Sequence, residues 1–344
     1  MQTVQEIAAL FKGFDGKRVL VASHVNPDGD AIGSLAAVGH LAEQHGADVR
    51  VLLVSGLPKE FSWLSMPWAS ARNLGELGDF VPDFVVVVDC GDARRAGPEL
   101  DAFFRKGVIP APGWEKVLSC NLDHHIGNPL FATYNLADSK RAATTELVGL
   151  VARELGMDLS GPLGECIYTG LLSDTGNFTF ANTSSEVLAM AAAIVAAGLD
   201  VGHTVAKIEN RWSIDRMHLW GYLITSLDIH AGGAIASSVL YLDVMARYKA
   251  SANDLEGYAS FMRHLDGLLV SVFIRERAPG KSKLSMRSVR DIDVQRIAAH
   301  FGGGGHRAAA GADVDLPPGE LCERVLDKLL EEYPDIFRDK NVTG

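Results

Sequence analysis

Short runs of uninterrupted apolar residues, each followed by helical spacing, organise the first 130 positions of the chain. Arg18 to Ser23 (RVLVAS) reads as a buried strand, and residues 31–45 as a helix that closes near Gly46. Asp48 to Ser55, Phe84 to Asp89 (FVVVVD) and Lys116 to Leu122 read as three more strands. Val/Leu runs without polar alternation suit strands covered on both faces, so the pattern predicts a parallel sheet between helical layers. Residues 142–225 are mostly helical in spacing. Strand-like stretches follow, Leu268 to Arg275 and Lys283 to Ser288 among them, and then helical ones at 292–300 and 318–332. The predicted class is α/β: an N-terminal doubly wound, mostly parallel sheet and a smaller C-terminal α/β domain.

Length agrees with two domains. The 344 residues exceed the roughly 150 expected of one ordinary core. Boundaries are expected at 1–195 and 223–340, with a helical linker over 196–222. Composition is ordinary for a globular chain, 47% hydrophobic and 22% charged.

Charge narrows the partners. A net charge of −11 does not favour coating duplex nucleic acid. Between Arg263 and Arg307, however, nine Lys/Arg face four Asp/Glu, which marks a candidate surface for an anionic substrate. Four scattered cysteines without a C-x-x-C pair fit a reducing compartment. The first residues lack a signal-type pattern, and the apolar stretch near Val187 to Val201 is short for a membrane span. The expectation is a cytoplasmic protein without membrane association.

Four segments carry chemistry. Ser23-His24-Val25-Asn26-Pro27-Asp28-Gly29-Asp30 follows a strand and opens a helix. His and Asp in one loop suit Mn²⁺, Fe²⁺, Zn²⁺ or Co²⁺. Gly29 lets Asp28 and Asp30 point differently, so that each could serve a different metal. Pro-Asp-Gly is also ordinary turn and cap chemistry. The apolar Ala31 and Ile32 do not continue the acceptor pattern of an EF-hand loop. Asp89 ends the FVVVVD run, where doubly wound folds place ligands. Asp92, close behind, is read as a cap. Asp123-His124-His125 again follows an apolar strand, and three adjacent ionisable groups are costly to bury without a purpose. Asp174 follows a helical stretch in Leu172-Ser173-Asp174-Thr175-Gly176-Asn177-Phe178.

A fifth segment is Gly302-Gly303-Gly304-Gly305-His306. Glycines allow close backbone approach, and exposed amides can cradle a phosphate. The run follows a helix and not a strand, which argues against a dinucleotide-binding loop.

These five segments, in this order, resemble the motifs of the DHH phosphoesterase superfamily and its DHH-associated C-terminal domain. The resemblance spans nearly the whole chain. It implies two divalent ions, Mn²⁺ by family habit. His24 and Asp28 would hold one, Asp30 and His124 the other, and Asp89 and Asp174 would be shared. It implies that His125 meets the scissile phosphate or protonates the leaving oxygen, and that Asp123 orients the histidines. Arg287 and Ser288 would contact substrate together with Gly303, Gly304, Gly305 and His306, and the active site would lie in the interdomain cleft.

Within that superfamily, length and domain content most resemble the enzymes that degrade very short single-stranded RNA to mononucleotides and dephosphorylate adenosine 3′,5′-bisphosphate (pAp). Cyclic- or linear-dinucleotide phosphodiesterases of second-messenger signalling are the alternative, and a non-catalytic nucleotide-binding module is a third. A homodimer is compatible with either enzyme.

Overall fold

The computed structural model describes residues 1–209, 212–255, 257–289 and 292–338. It divides into two compact units, Met1–Arg211 and Trp212–Gly344.

The first unit is built on six strands: β1 (Arg18–Ala22), β2 (Asp48–Leu52), β3 (Ser70–Ala71), β4 (Phe84–Val88), β5 (Leu118–Asp123) and β6 (Tyr134–Ala137). Their order is β3-β2-β1-β4-β5-β6, and every pairing is parallel. The helices are α1 (Val4–Lys12), α2 (Gly29–Gln44), α3 (Pro98–Lys106), α4 (Thr144–Glu154), α5 (Gly161–Asp174), α6 (Ser185–Ala196) and α7 (Val201–Glu209). Alternate strand residues feed opposite layers. Val19, Val21, Val86 and Val88 pack into one core with Ile32, Leu35 and other helix residues. Leu20, Ala22, Val85 and Val87 pack into another with Leu100 and Trp114. This two-sided burial is why the strands read as continuous apolar runs.

The strand order reverses between β1 and β4, and ligands in such sheets bind beyond the strand ends at that point. His24 follows β1, Asp89 follows β4, and Asp123 is the last residue of neighbouring β5. The buried helix α2 starts just past β1, with Asp28 as its N-cap. It packs on α5 through glycines. A side-chain carbon at Gly33 would lie 2.6 Å from the Cys166 carbonyl oxygen, and one at Gly170 would strike Thr145.

The second unit carries α8 (Ile214–Thr225), β7 (Asp228–His230), β8 (Ile235–Leu240), α9 (Leu242–Arg247), α10 (Tyr258–Phe261), β9 (Val270–Ala278), β10 (Lys281–Ser288), α11 (Val294–His300), β11 (Gly304–His306), β12 (Ala309–Val314), α12 (Pro318–Glu332) and α13 (Pro334–Arg338). Its sheet order is β11-β12-β10-β9-β8-β7, antiparallel except for β8 with β9. Here α11 and α12 cover one face, and α8 and α10 the other.

Several expectations shift. The second strand stops at Leu52, three residues short of Ser55. The short edge strands β3 and β6 carry too little apolar sequence to stand out. Part of the glycine run is not a loop: Gly304 to His306 pair with Ala309 to Gly311 as an edge strand. Among the described residues, no single helix is long and apolar enough to cross a membrane.

Candidate metal centre

His24 is buried, and its Nδ1 donates to the Val25 carbonyl at 2.9 Å. Its Nε2 is wholly buried, lies 3.5 Å from Asp89 Oδ2 and has no close hydrogen-bond partner among the described residues. Burial opposes protonation of His24, yet Asp89 and the Val25 carbonyl raise its pKa. His124 repeats the arrangement, with Nδ1 3.3 Å from the Arg141 carbonyl oxygen. Its Nε2 faces Asp174 Oδ2 at 3.2 Å, Asp89 Oδ1 at 3.6 Å and Asp30 Oδ2 at 3.9 Å. Imidazoles tied back through one nitrogen, with the other aimed at carboxylates, are oriented as metal ligands are.

Asp89 stands at the centre. One oxygen faces His24 while the other faces His124 and His125. Its backbone is left-handed, with φ of 52°, immediately after β4. Such conformations are costly for non-glycine residues and tend to mark sites where a side chain must be aimed. Gly91 keeps the next turn close, since a side-chain carbon there would lie 2.8 Å from His125 Cβ.

Asp30 has no contact with solvent. Its oxygens accept from the Thr144 amide at 2.6 Å, the Thr145 amide at 2.9 Å and the Thr145 hydroxyl at 2.7 Å. The first turn of α4 therefore holds it, with amides that would otherwise be unpaired. The Thr144 hydroxyl also donates to Asp89 Oδ1 at 3.0 Å. Asp28 caps α2, and both amides it receives, from Asp30 and Ala31, use Oδ1. The cap reading of this turn is thus correct, and the residue still lies within ligand distance of its neighbours.

Three sets of side chains could each hold an ion: His24, Asp28 and Asp89; Asp30, His124 and Asp174; and Asp89, His124 and His125. Asp89 and His124 each belong to two of them. The structure thus brings all six expected ligands together. Asp174, the last residue of α5, reaches the cluster through His124 and not through Asp89.

His125 has a different environment. Its Nδ1 donates to buried Asp123 Oδ1 at 2.8 Å, and its Nε2 lies 3.3 Å from Arg95 Nη1. Asn128 donates to the other Asp123 oxygen at 2.6 Å. Asp123 therefore fixes the His125 ring.

Electrostatics follow from crowding. Burial raises Asp30 well above the usual carboxylate range, and Asp89 and Asp174 add to the shift. Burial likewise raises Asp174. Burial also works on Asp89, but His24, His124 and His125 outweigh it and hold its carboxyl below the usual value. Burial opposes protonation of His124, yet Asp174, Asp30 and Asp89 bring it to about 10. Without cations, the cluster retains protons to offset its own charge.

Sequence reading missed Thr144, Thr145, Asn128 and Arg95. Thr144-Thr145-Glu146 before an apolar run is a helix-start signal. Nothing in it reveals that the helix starts against Asp30. Asp92, read as a cap, does cap the turn Ala93–Ala96.

In the second unit, a cavity of about 640 Å³ is lined by Lys283, Arg287, Gly302 to Gly305 and Gly311, among others. Arg287 donates to the Ser260 hydroxyl and the Met286 carbonyl, and burial lowers its pKa. Ser288 is buried, with its hydroxyl donating to the Ile292 carbonyl at 2.8 Å, and is not among the lining residues. His306 is exposed on edge strand β11 and is not among them either.

Residues 18–171 match the DHH family, N-terminal domain, and residues 236–339 match the DHHA1 domain. The chain is 32% identical to the bifunctional oligoribonuclease and PAP phosphatase NrnA of Thermus thermophilus, over 95% of this chain and 93% of that one. It is 23% identical to a probable enzyme of the same description from Streptococcus mutans, over 96% and 100%. Among solved structures, an exopolyphosphatase-related protein from Bacteroides fragilis superimposes with a TM-score of 0.83 at 26% identity, covering 98% of each chain.

Proposed function

The chain belongs to the DHH family, and from that membership we propose that it is a metal-dependent phosphoesterase acting on very short RNA and on pAp. The observation that carries this reading is the cluster around Asp89, whose two oxygens face histidines of two different candidate ligand sets. The substrate class rests on relatives named for oligoribonuclease and PAP phosphatase activity.

His24, Asp28, Asp30, Asp89, His124 and Asp174 would hold two divalent ions. The buried Nε2 of His24, with no close hydrogen-bond partner among the described residues and Asp89 Oδ2 3.5 Å away, fits that use, because such an atom is costly without a ligand. Four carboxylates with two imidazoles form a hard, oxygen-rich donor set, which suits Mn²⁺. When bound, such an ion pair supplies positive charge to the phosphoryl oxygens and makes water a nucleophile at neutral pH.

The chain's own residues do the rest. Thr144 and Thr145 hold Asp30 in one orientation, and Asp123 fixes the His125 ring. His125, the most exposed imidazole of the cluster, is the group we assign to the scissile phosphate. Arg287 and the glycine-lined cavity of the second unit supply contacts to the nucleotide. Ser288 does not line that cavity and instead donates its hydroxyl to the Ile292 carbonyl, and His306 offers an exposed imidazole on the edge strand.

The test is a set of initial rates with Mn²⁺ on a linear RNA dinucleotide, pAp, a cyclic dinucleotide and pyrophosphate. The reading expects the linear dinucleotide and pAp to be the preferred substrates. Preference for the cyclic compound would move the chain to second-messenger breakdown, and preference for pyrophosphate would overturn the nucleotide reading.

A further inference from the structure

The arginines around the cluster are not equivalent. Arg141 is neutralised by Asp138 and Glu146, and Arg94 by Asp92. Arg95, next in sequence to Arg94, forms no ion pair among the described residues and is exposed. Its guanidinium lies against the cluster, with Nη1 3.3 Å from His125 Nε2.

The position is built, and not an accident of a long side chain. The Arg95 carbonyl accepts from the Val25 amide at 2.7 Å, and the Arg95 amide donates to the Asp92 carbonyl at 2.9 Å. The turn that presents Arg95 is thereby fastened to the loop that carries His24. Asp92 caps that turn and takes up Arg94, so one arginine of the pair is occupied and the other is left facing the site.

The present partner of Arg95 is a weak one. A guanidinium has only donors, and His125 Nδ1–H is committed to Asp123, so Nε2 must accept from Arg95. A neutral ring nitrogen at 3.3 Å is a poorer acceptor for a guanidinium than a phosphate oxygen, which can take two parallel bonds.

We infer that Arg95 is a substrate-binding residue: on arrival of a phosphate it transfers its hydrogen bond from His125 Nε2 to a non-bridging phosphate oxygen, freeing that nitrogen to face the substrate. No bond other than hydrogen bonds changes. The inference rests on the reading of the cluster as a phosphoesterase centre. It adds a cation fixed by the chain itself, which an acidic protein needs beside an anionic substrate.

The experiment uses the full chain loaded with Mn²⁺, as wild type, Arg95→Ala and Arg95→Lys. Inorganic phosphate binding is measured by calorimetry, kcat and KM on a linear RNA dinucleotide by product release, and metal affinity by titration. Arg95→Ala should weaken phosphate binding about 10-fold or more and lower kcat/KM about 10- to 100-fold, the range for losing a hydrogen bond to a charged group. Metal affinity should stay within about twofold, since Arg95 is not a ligand. Arg95→Lys should recover part of the phosphate binding, because it keeps the charge and loses the fork. Unchanged phosphate affinity in Arg95→Ala would overturn the inference. So would a loss accompanied by loss of metal, which would mean that the turn merely props the His24 loop. If the wild type cleaves no dinucleotide, the hydrolase reading fails, while the phosphate titration still decides the role of Arg95.

Discussion

Asp30 and His124 show how strongly single residues are committed here. Asp30 is buried, and the Thr145 hydroxyl and amide both donate to its Oδ1. Thr145→Val should cost about 1–3 kcal/mol of stability, the range for stripping a buried acceptor of its donor. It should also weaken metal binding about 10- to 100-fold, as loss of outer partners does. Thermal melting and metal titration of the variant check both. His124 makes a pH prediction. Its folded pKa is raised to about 10, so the metal-free protein binds a proton there at neutral pH that a metal must displace. Calorimetry in two buffers of different ionisation enthalpy should therefore show proton release on Mn²⁺ binding. The same shift sets a stability window. The contribution of His124 to the metal-free protein is full below about 6.5, its unfolded value, and is lost as pH rises towards 10. Melting of the metal-free protein that is flat across that window would contradict the assignment.

Elements explain why the site was largely legible from sequence, and where it was not. β1, β4 and β5 announce themselves as apolar runs and lead into His24, Asp89 and the Asp123-His124-His125 triplet, whose Asp123 closes β5. Strand ends on one side of a parallel sheet meet in space, so the ligands could be grouped without coordinates. What sequence could not show is which helix starts face them. The α4 start looks like any helix beginning, and its task of holding Asp30 depends on tertiary packing. The edge strand β11 was hidden for another reason. Glycines have low strand propensity, and only pairing with β12 makes Gly304 to His306 a strand. The α2–α5 contact yields a test of its own. At Gly170 a methyl group would collide with the Thr145 side chain and lie 2.6 Å from Asp30 Oδ1. Gly170→Ala should destabilise by about 1–3 kcal/mol, the range for overpacking a core, and reduce activity by displacing Asp30. Denaturant melts with parallel rate measurements distinguish the two effects.

At the scale of the whole molecule, the residues proposed for the ions and those proposed for the nucleotide belong to different units of the chain. The six candidate metal ligands all fall within Met1–Arg211, while Arg287 and the glycine-lined cavity fall within Trp212–Gly344. Arg287→Ala should accordingly raise KM for the dinucleotide more than it lowers kcat, because it removes binding and leaves the reacting groups in place. Equal KM in variant and wild type would remove Arg287 from the substrate contacts. The central claim is that six side chains of the first unit make one centre for two ions. The most direct measurement is titration of the metal-free protein with Mn²⁺, wild type beside Asp89→Ala, with dinucleotide hydrolysis followed in the same samples. The account predicts two ions per wild-type chain. In Asp89→Ala it predicts loss of at least one ion, with an activity loss beyond the roughly 10- to 100-fold of an outer partner. A wild type that binds one ion or none, or a variant that binds both as tightly, would contradict it.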